Sequence, residues 1–145
     1  MNGKLLLLLC CFFSSAVLGY PAHSKYWPHR SVLYFAPAND EHVKQFLLET
    51  LINECELTER DIVTLIITED GFTKPDWLKQ EFDTRILARI YRVEKGEHTA
   101  ILLGKDGREK YRWGAETDWS FIKDLIDQMP LRKQEMQRQP SPCKI

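Results

Sequence analysis

Many common sequence signatures of enzymes are missing from this 145-residue chain. It contains no CxxC pair, no glycine-rich phosphate loop, no GxSxG motif and no histidines at HxxxH or HxH spacing. It also lacks an Asn-x-Ser/Thr sequon and a KDEL-type C-terminus. These absences argue against dithiol oxidoreductases, serine hydrolases and the common zinc enzymes. We therefore predict no catalytic residue, no metal and no cofactor.

An excess of charge of one sign is also missing, because 20 Lys and Arg residues are balanced by 21 Asp and Glu residues, for a net charge of −1 at pH 7. A chain with this balance gains little non-specific attraction to the phosphate backbone of nucleic acid. We therefore expect no nucleic-acid partner.

Long apolar runs are absent except at the N-terminus, where one spans 5–18 directly after the positive charge of Lys4. A membrane-spanning helix needs about 20 apolar residues, so this shorter run is typical of a signal peptide. The pattern predicts a signal peptide over 1–19, cleaved between Gly19 and Tyr20. The mature protein is then secreted and extracellular, with no membrane span; an uncleaved N-terminal anchor is the alternative.

The stretch 31–46 predicts a strand, a tight loop and the start of a helix. Val32–Phe35 is a short run of β-formers, and Pro37, which has no N–H, ends the pairing. Asn39 and Asp40 then offer N-caps for a helix. In α/β folds such a junction often carries the site, since helix N-terminal amides point into the loop. Here the junction has no cysteine.

The remaining elements follow in the order β-α-β-α-β-β-α. The first helix is predicted from about Asp40 to Cys55, and a continuous β-branched run at 62–68 predicts a buried central strand. Asp106-Gly107 predicts a hairpin between strands at 99–103 and 109–113. Helical spacing predicts three apolar stripes that face the core: Val43, Phe46, Leu47, Leu51 and Cys55; Trp77, Leu78, Phe82, Ile86 and Ile90; and Trp119, Ile122, Leu125, Ile126 and Met129. PLRKQEM after Pro130 offers a further helical turn.

Three segments resemble known families. FAPANDEHVKQF (35–46) resembles the first strand and helix of thioredoxins, and GEHTAILLGKDGREKYRWG (96–114) resembles their third and fourth strands. LLGKDG (102–107) and LIDQMPLRKQEM (125–136) are more similar to a thioredoxin-like domain of secreted matrix proteins, the sushi-repeat-containing X-linked proteins and equarin (coiled-coil domain-containing protein 80).

That resemblance implies a thioredoxin-like α/β fold without the redox motif. It also implies a four-stranded mixed sheet of order 2-1-3-4, helices on both faces, and adhesion or matrix association. The chain departs from thioredoxins in having no CxxC in the first loop and His98-Thr99 where they carry a cis-proline. We place an N-terminal lead at 20–29, the thioredoxin-like domain at 30–136 and a flexible tail at 137–145.

Cysteine is scarce once the signal peptide is gone, since only Cys55 and Cys143 remain. Secreted cysteines are usually paired, and the resembling domains also keep a cysteine after the last helix, which implies a Cys55–Cys143 disulfide. Two alternatives stay open: a dimer linked through Cys143, and a buried inert thiol at Cys55. If both thiols were free, the chain would be a secreted thiol-reactive protein.

Basic residues cluster on the predicted hairpin as Lys105, Arg108, Lys110 and Arg112, and these bases predict polyanion binding, with an ordinary solvated hairpin face as the alternative. His42 and His98 are expected to approach each other beside Asp40, although surface histidines are commoner than metal ligands. The sequence as a whole predicts a non-catalytic binding module whose partner is an extracellular protein or a sulfated glycan.

The signal peptide generates the first prediction. When the full chain is expressed in a secreting cell, we expect it in the medium with Tyr20 as the first residue, because the apolar run is too short to remain as an anchor. N-terminal sequencing of the secreted protein is the measurement. A protein that retains Met1 in the membrane fraction would contradict it.

Overall fold

The computed structural model describes residues 27–143 and contains a five-stranded sheet of order β3-β2-β1-β4-β5. Its strands are β1 (Arg30–Ala36), β2 (Ile62–Thr68), β3 (Thr73–Lys74), β4 (Thr99–Leu103) and β5 (Glu109–Trp113). The predicted signal peptide, the Gly19–Tyr20 cleavage point and most of the N-terminal lead lie outside the described residues.

Six helices connect and cover these strands in the described part of the chain. They are α1 (Glu41–Ile52), α2 (Glu54–Glu59), α3 (Leu78–Glu81), α4 (Thr84–Ile90), α5 (Trp119–Asp127) and α6 (Pro130–Arg138). Within residues 27–143, no helix is both long enough and apolar enough to cross a membrane. PLRKQEM forms a full helix, so Gln137 and Arg138 of the expected tail are helical.

Strand β1 lies at the centre of the sheet, and all seven of its residues are buried. It pairs in parallel with β2, from Arg30–Ile62 to Ala36–Thr68, and antiparallel with β4, from Ser31–Leu103 to Phe35–Thr99. The predicted order of the four main strands is confirmed, and the predicted strand count is corrected by the short edge strand β3. Pro75, which follows β3, has no N–H with which to extend the pairing.

Alternate residues of the strands build a core on each face of the sheet. One core contains Val32, Tyr34, Val43, Phe46 and Ile122, and is covered by α1, α2 and α5. The other core, on the opposite face, is covered by α3 and α4. Its buried members are Leu33, Phe35, Ile67, Leu78, Ile101 and Leu103. Helices therefore lie on both faces, as predicted.

The predicted core stripe of the first helix is wrong at its C-terminal end. Val43 and Phe46 are buried, but Leu51 is exposed and so is Cys55. The helix ends at Ile52 and a second, short helix begins at Glu54, so Cys55 no longer continues the apolar face of α1.

The second predicted core stripe is also wrong. Phe82 has an extended backbone and Asp83 caps a new helix, so the predicted single helix is broken into α3 and α4. The break turns α4 so that Leu87 and Ala88 pack against the core, while Ile86 and other members of the stripe are exposed. Of the predicted stripe only Leu78 is buried; Trp77, Phe82, Ile86 and Ile90 face solvent.

A network of buried charges fixes α6 under the N-terminal ends of β1 and β2. Arg30, which is 1% exposed, donates from Nη1 and Nη2 to the two carboxylate oxygens of Glu135 at 3.0 and 3.2 Å. Arg60 forms a similar two-bond pair with Asp127 at 2.6 and 3.0 Å, and Arg132 donates to the same carboxylate at 3.1 Å. Asp127, Arg132 and Glu135 all belong to the LIDQMPLRKQEM segment, whose role is therefore structural.

The network holds its carboxylates ionised. Burial acts to raise the pKa of Glu135, but hydrogen bonds from Arg30 and Lys105 outweigh burial and leave that pKa below its ordinary value of 4.5. The pKa of Asp127 is likewise lowered, because bonds from Arg60 and Arg132 outweigh its burial. In acid the unfolded chain takes up protons at a higher pH than the folded chain does. The stability from these groups is thus present above pH 4.5 and is lost as pH falls through the lowered pKa values.

This network generates the second prediction. Glu135→Gln should lower the free energy of unfolding at pH 7 by roughly 3 kcal/mol, because the buried Arg30 loses its charged partner. Urea unfolding followed by tryptophan fluorescence measures the change. Glu81→Gln, at an exposed position, is the matched control, with an expected change within about 0.5 kcal/mol. The variant should also lose less stability between pH 7 and pH 3 than the native chain; equal acid sensitivity would contradict the assignment.

Candidate functional site

The junction between β1 and α1 brings titratable side chains together at one edge of the sheet. Asp40 is the N-cap of α1, and its Oδ1 accepts a hydrogen bond from the backbone N–H of Val43 at 3.1 Å. Asn39 donates its N–H to the carboxylate of Asp70 at 3.2 Å, which ties the loop to the end of β2. Of the two N-cap candidates, Asp40 is confirmed as the cap, and Asn39 instead ties the loop to Asp70 through its backbone N–H.

Two histidines complete the cluster. His98, just before β4, places Nε2 at 2.7 Å from Oδ2 of Asp40. The rings of His42 and His98 meet edge to face, with 4.8 Å between their centroids. Their expected approach is confirmed. In the part of the chain that the structure describes, however, no three His, Cys, Asp or Glu side chains are arranged to hold a metal ion.

Tyr34 forms the floor beneath the histidines. Its ring stacks on Phe46 with 4.4 Å between centroids, and its hydroxyl donates to the carbonyl of Ala115 at 2.8 Å. Burial and the nearby charges of Asp40 and Glu49 raise the pKa of Tyr34 to about 12, so it stays protonated at neutral pH. The sequence placed Tyr34 in the first strand without assigning it a role; a polar hydroxyl within an apolar run was the available signal.

A cleft of about 360 Å³ opens beside this cluster, between α1 and the loop that follows β5. His42, Glu49 and Glu116 line it with Ala115 and Thr117. Partial burial acts to raise the pKa of Asp40, but the bonds from Val43 and His98 outweigh burial and lower that pKa. The cluster thus offers an ionised carboxylate, two imidazoles and a phenol. Such groups can hydrogen-bond a ligand, but the junction supplies no thiol for covalent chemistry.

The two cysteines lie away from this junction and are joined to each other. Their Cα atoms are 5.9 Å apart, and the bond links positions 88 residues apart in sequence. The bond is within one chain, and Cys55 is exposed rather than buried. Chain-entropy reasoning assigns such a loop roughly 4 kcal/mol of stabilisation. The bond also fixes the end of the expected flexible tail at Cys143.

The predicted polyanion-binding bases lie on the β4–β5 hairpin, and most of them are paired with acids. Lys105 contacts Asp61 and Glu135 at 2.7 and 2.8 Å. Lys110 pairs with Asp106 at 2.8 Å and Arg112 with Glu109 at 2.7 Å. Among the described residues, Arg108 has no ion pair. Polyanion binding stays a prediction, with fewer free charges than the sequence indicated.

Asp40 generates the third prediction. Asp40→Ala should lower the free energy of unfolding by about 1 kcal/mol, because α1 loses its N-cap. It should also shift the NMR resonances of His98, which loses its carboxylate partner. Chemical denaturation and histidine NMR spectra at one fixed pH measure the two effects. Asp40→Ser is the control, since serine caps a helix as well: it should restore the stability, whereas the His98 resonances should stay displaced as they are in Asp40→Ala. His98 resonances that keep their native positions in both variants would contradict the pairing.

Comparison with solved structures finds chains of similar fold. A cysteine-to-serine mutant of PrxQ from Xylella fastidiosa superposes with a TM-score of 0.51 at 18% identity, over 81% of this chain and 82% of that chain. Reduced 2-Cys peroxiredoxin from Plasmodium vivax gives 0.52 at 14% identity, over 81% and 85%. At such identities the likeness concerns the fold, and it confirms the thioredoxin-like α/β architecture.

Sequence comparison identifies the family of this chain. No curated protein matches the chain significantly. The narrower resemblance to the sushi-repeat-containing X-linked proteins and equarin therefore stays a prediction. Residues 21–135 match the model for the domain of unknown function DUF4174, which spans most of the chain, and the protein belongs to that family.

Proposed function

We propose that this protein is a secreted, non-catalytic binding module of the extracellular matrix. The carrying observation is the β1–α1 junction, where the resembling thioredoxins place CxxC and this chain places the Asp40–His98 pair. A thiol there would be activated by the N-terminal end of the helix, and a carboxylate–imidazole pair cannot replace its nucleophilic sulfur. The apolar run over 5–18 and the disulfide support an extracellular location.

The electrostatic setting of Cys55 weighs against the alternative, a thiol-reactive protein. Cys55 stands between Glu54 and Glu56, and negative neighbours disfavour the thiolate form that attacks disulfides and peroxides. Lys123 of α5 is occupied by Glu56, so this base is not available to stabilise a thiolate. Reduced Cys55 would accordingly be a slow nucleophile.

The fourth prediction tests both parts of this proposal, the absence of catalysis and the binding role. The native protein should show no turnover above the buffer blank in insulin-disulfide reduction or peroxide consumption, and thiol counting before reduction should find no alkylatable cysteine.

The native protein should also adhere to decellularised matrix, and should be retained on heparin only at low salt, because its hairpin bases are largely paired. Lys110→Glu with Arg112→Glu should abolish the heparin retention.

Lys79→Glu with Lys95→Glu is the matched control, since it changes the charge equally at two exposed lysines outside the hairpin. Its heparin retention should equal that of the native chain. Retention lost equally in both variants would mean that net charge, rather than the hairpin, attracts heparin. Turnover that disappears in Cys55→Ser would establish the thiol-reactive alternative, and an absence of matrix adhesion would contradict the binding role.

A further inference from the structure

Two helices expose apolar side chains that the core does not use. On α1, Leu48, Leu51 and Ile52 are 52%, 67% and 73% exposed, and their i, i+3, i+4 spacing places them on one outward face, here called the α1 stripe. On α4, Ile86 and Ile90 are 49% and 62% exposed and lie one turn apart, here called the α4 stripe. Apolar side chains grouped in this way mark contact surfaces more often than scattered ones do.

The charges beside the two stripes are opposite in sign. Lys44, one turn before Leu48 on α1, is already paired with Glu41 at 2.7 Å. Glu49 and Glu54 form no ion pair with any described residue, so the charge left unpaired beside the α1 stripe is negative. Helix α4 contains Arg85 and Arg89 and no acid. Arg85 contacts Asp83 only at 3.5 Å with an 86% exposed side chain, and within residues 27–143 Arg89 has no carboxylate partner. Each stripe therefore supplies the charge that the other lacks.

The two stripes cannot meet within one molecule. Helix α1 covers the core that contains Val43 and Phe46, and α4 covers the core on the other face of the sheet. Both stripes point away from the sheet, in opposite directions. A contact between them must therefore join two copies of the chain.

We propose that the α1 stripe of one copy packs against the α4 stripe of the next, with Glu49 and Glu54 facing Arg85 and Arg89. This inference rests on the proposed role as a binding module and names a second copy of the chain as a partner. Because the contact joins two different surfaces, it is heterologous, and each copy keeps one stripe free for a further copy. The product is a ring or a filament rather than a closed twofold dimer.

Other surfaces fit self-association less well. Strand β5 is an edge strand, but a bulge opposite Leu102–Leu103 and the charges of Lys110 and Arg112 disfavour pairing with another strand. An anionic membrane would attract the basic α4 stripe but would leave the α1 stripe, on the opposite face of the sheet, uncovered. Packing of helices between copies of the chain buries the apolar side chains of both stripes.

The contact is small, so the association should be weak and dependent on concentration. Specific stable interfaces bury about 800 Å² on each partner, more than a few half-exposed side chains provide. The average mass of the mature chain should therefore rise between roughly 1 μM and 1 mM, a range that brackets weak Kd values. High salt should reduce the rise, because it screens the Glu–Arg pairs.

Sedimentation equilibrium of two variants and their mixture tests the geometry. Leu51→Glu blocks the α1 stripe and Ile90→Glu blocks the α4 stripe, so each variant alone should remain a monomer. Their equimolar mixture should stop at a 1:1 dimer, because each partner retains one complementary stripe. Phe121→Glu, at a 45% exposed position on α5, is the control and should assemble like the native chain.

Charge reversal provides a second test that leaves the apolar residues intact. Glu49→Lys with Glu54→Lys, and Arg85→Glu with Arg89→Glu, should each weaken association, and all four changes in one chain should restore it. A native chain that stays monomeric up to 1 mM, a mixture that stays monomeric, or binding to phosphatidylserine vesicles in place of self-association would overturn the inference. None of these outcomes affects the heparin, matrix or turnover results, so the two proposals fail independently.

Discussion

A guanidinium group buried at the first residue of the central strand needs an anion, and the anion comes from the far end of the domain. Arg30 is almost fully buried and takes both carboxylate oxygens of Glu135 on α6. An isolated buried charge would cost several kcal/mol, so β1 and α6 depend on each other. Lys105 shares the same carboxylate, which anchors the hairpin of β4 and β5 to this pair. The strand, the last helix and the hairpin are thus positioned by one side chain.

The four main strands were predictable because they carry strong local signals, whereas the two-residue strand β3 carries none. The runs at 32–35 and 62–68 are apolar and β-branched or aromatic, and Asp106-Gly107 marks the hairpin. The buried face of each helix was less predictable. Apolar periodicity shows that a helix has an apolar face, but not whether that face packs on the core or faces solvent. A single cap residue, Asp83, broke the second predicted helix and turned its apolar residues outward. The new helix packs Leu87 and Ala88 on the core, a choice that apolar spacing alone does not specify.

The position of the candidate site was predictable, but the contacts between its side chains were less so. The strand–helix junction and the approach of His42 to His98 follow from the topology of the resembling fold. The hydrogen bond between His98 and the cap residue Asp40 depends on rotamers that no sequence pattern specifies. The pairing of the hairpin base Lys105 was also not predictable, because its partners Asp61 and Glu135 are remote from it along the chain.

The Cys55–Cys143 bond also determines how the domain responds to mechanical force. If the two ends of the described chain are pulled apart, tension runs from β1 through α1 to Cys55 and then crosses the bond to Cys143. The segment 56–142, which contains all of the sheet except β1, lies inside the covalent loop and cannot be drawn out. Extension is therefore limited to residues 27–55, or roughly 100 Å at about 3.5 Å per residue. Reduction of the bond would add the enclosed segment to the extensible length and turn a short tether into a long one.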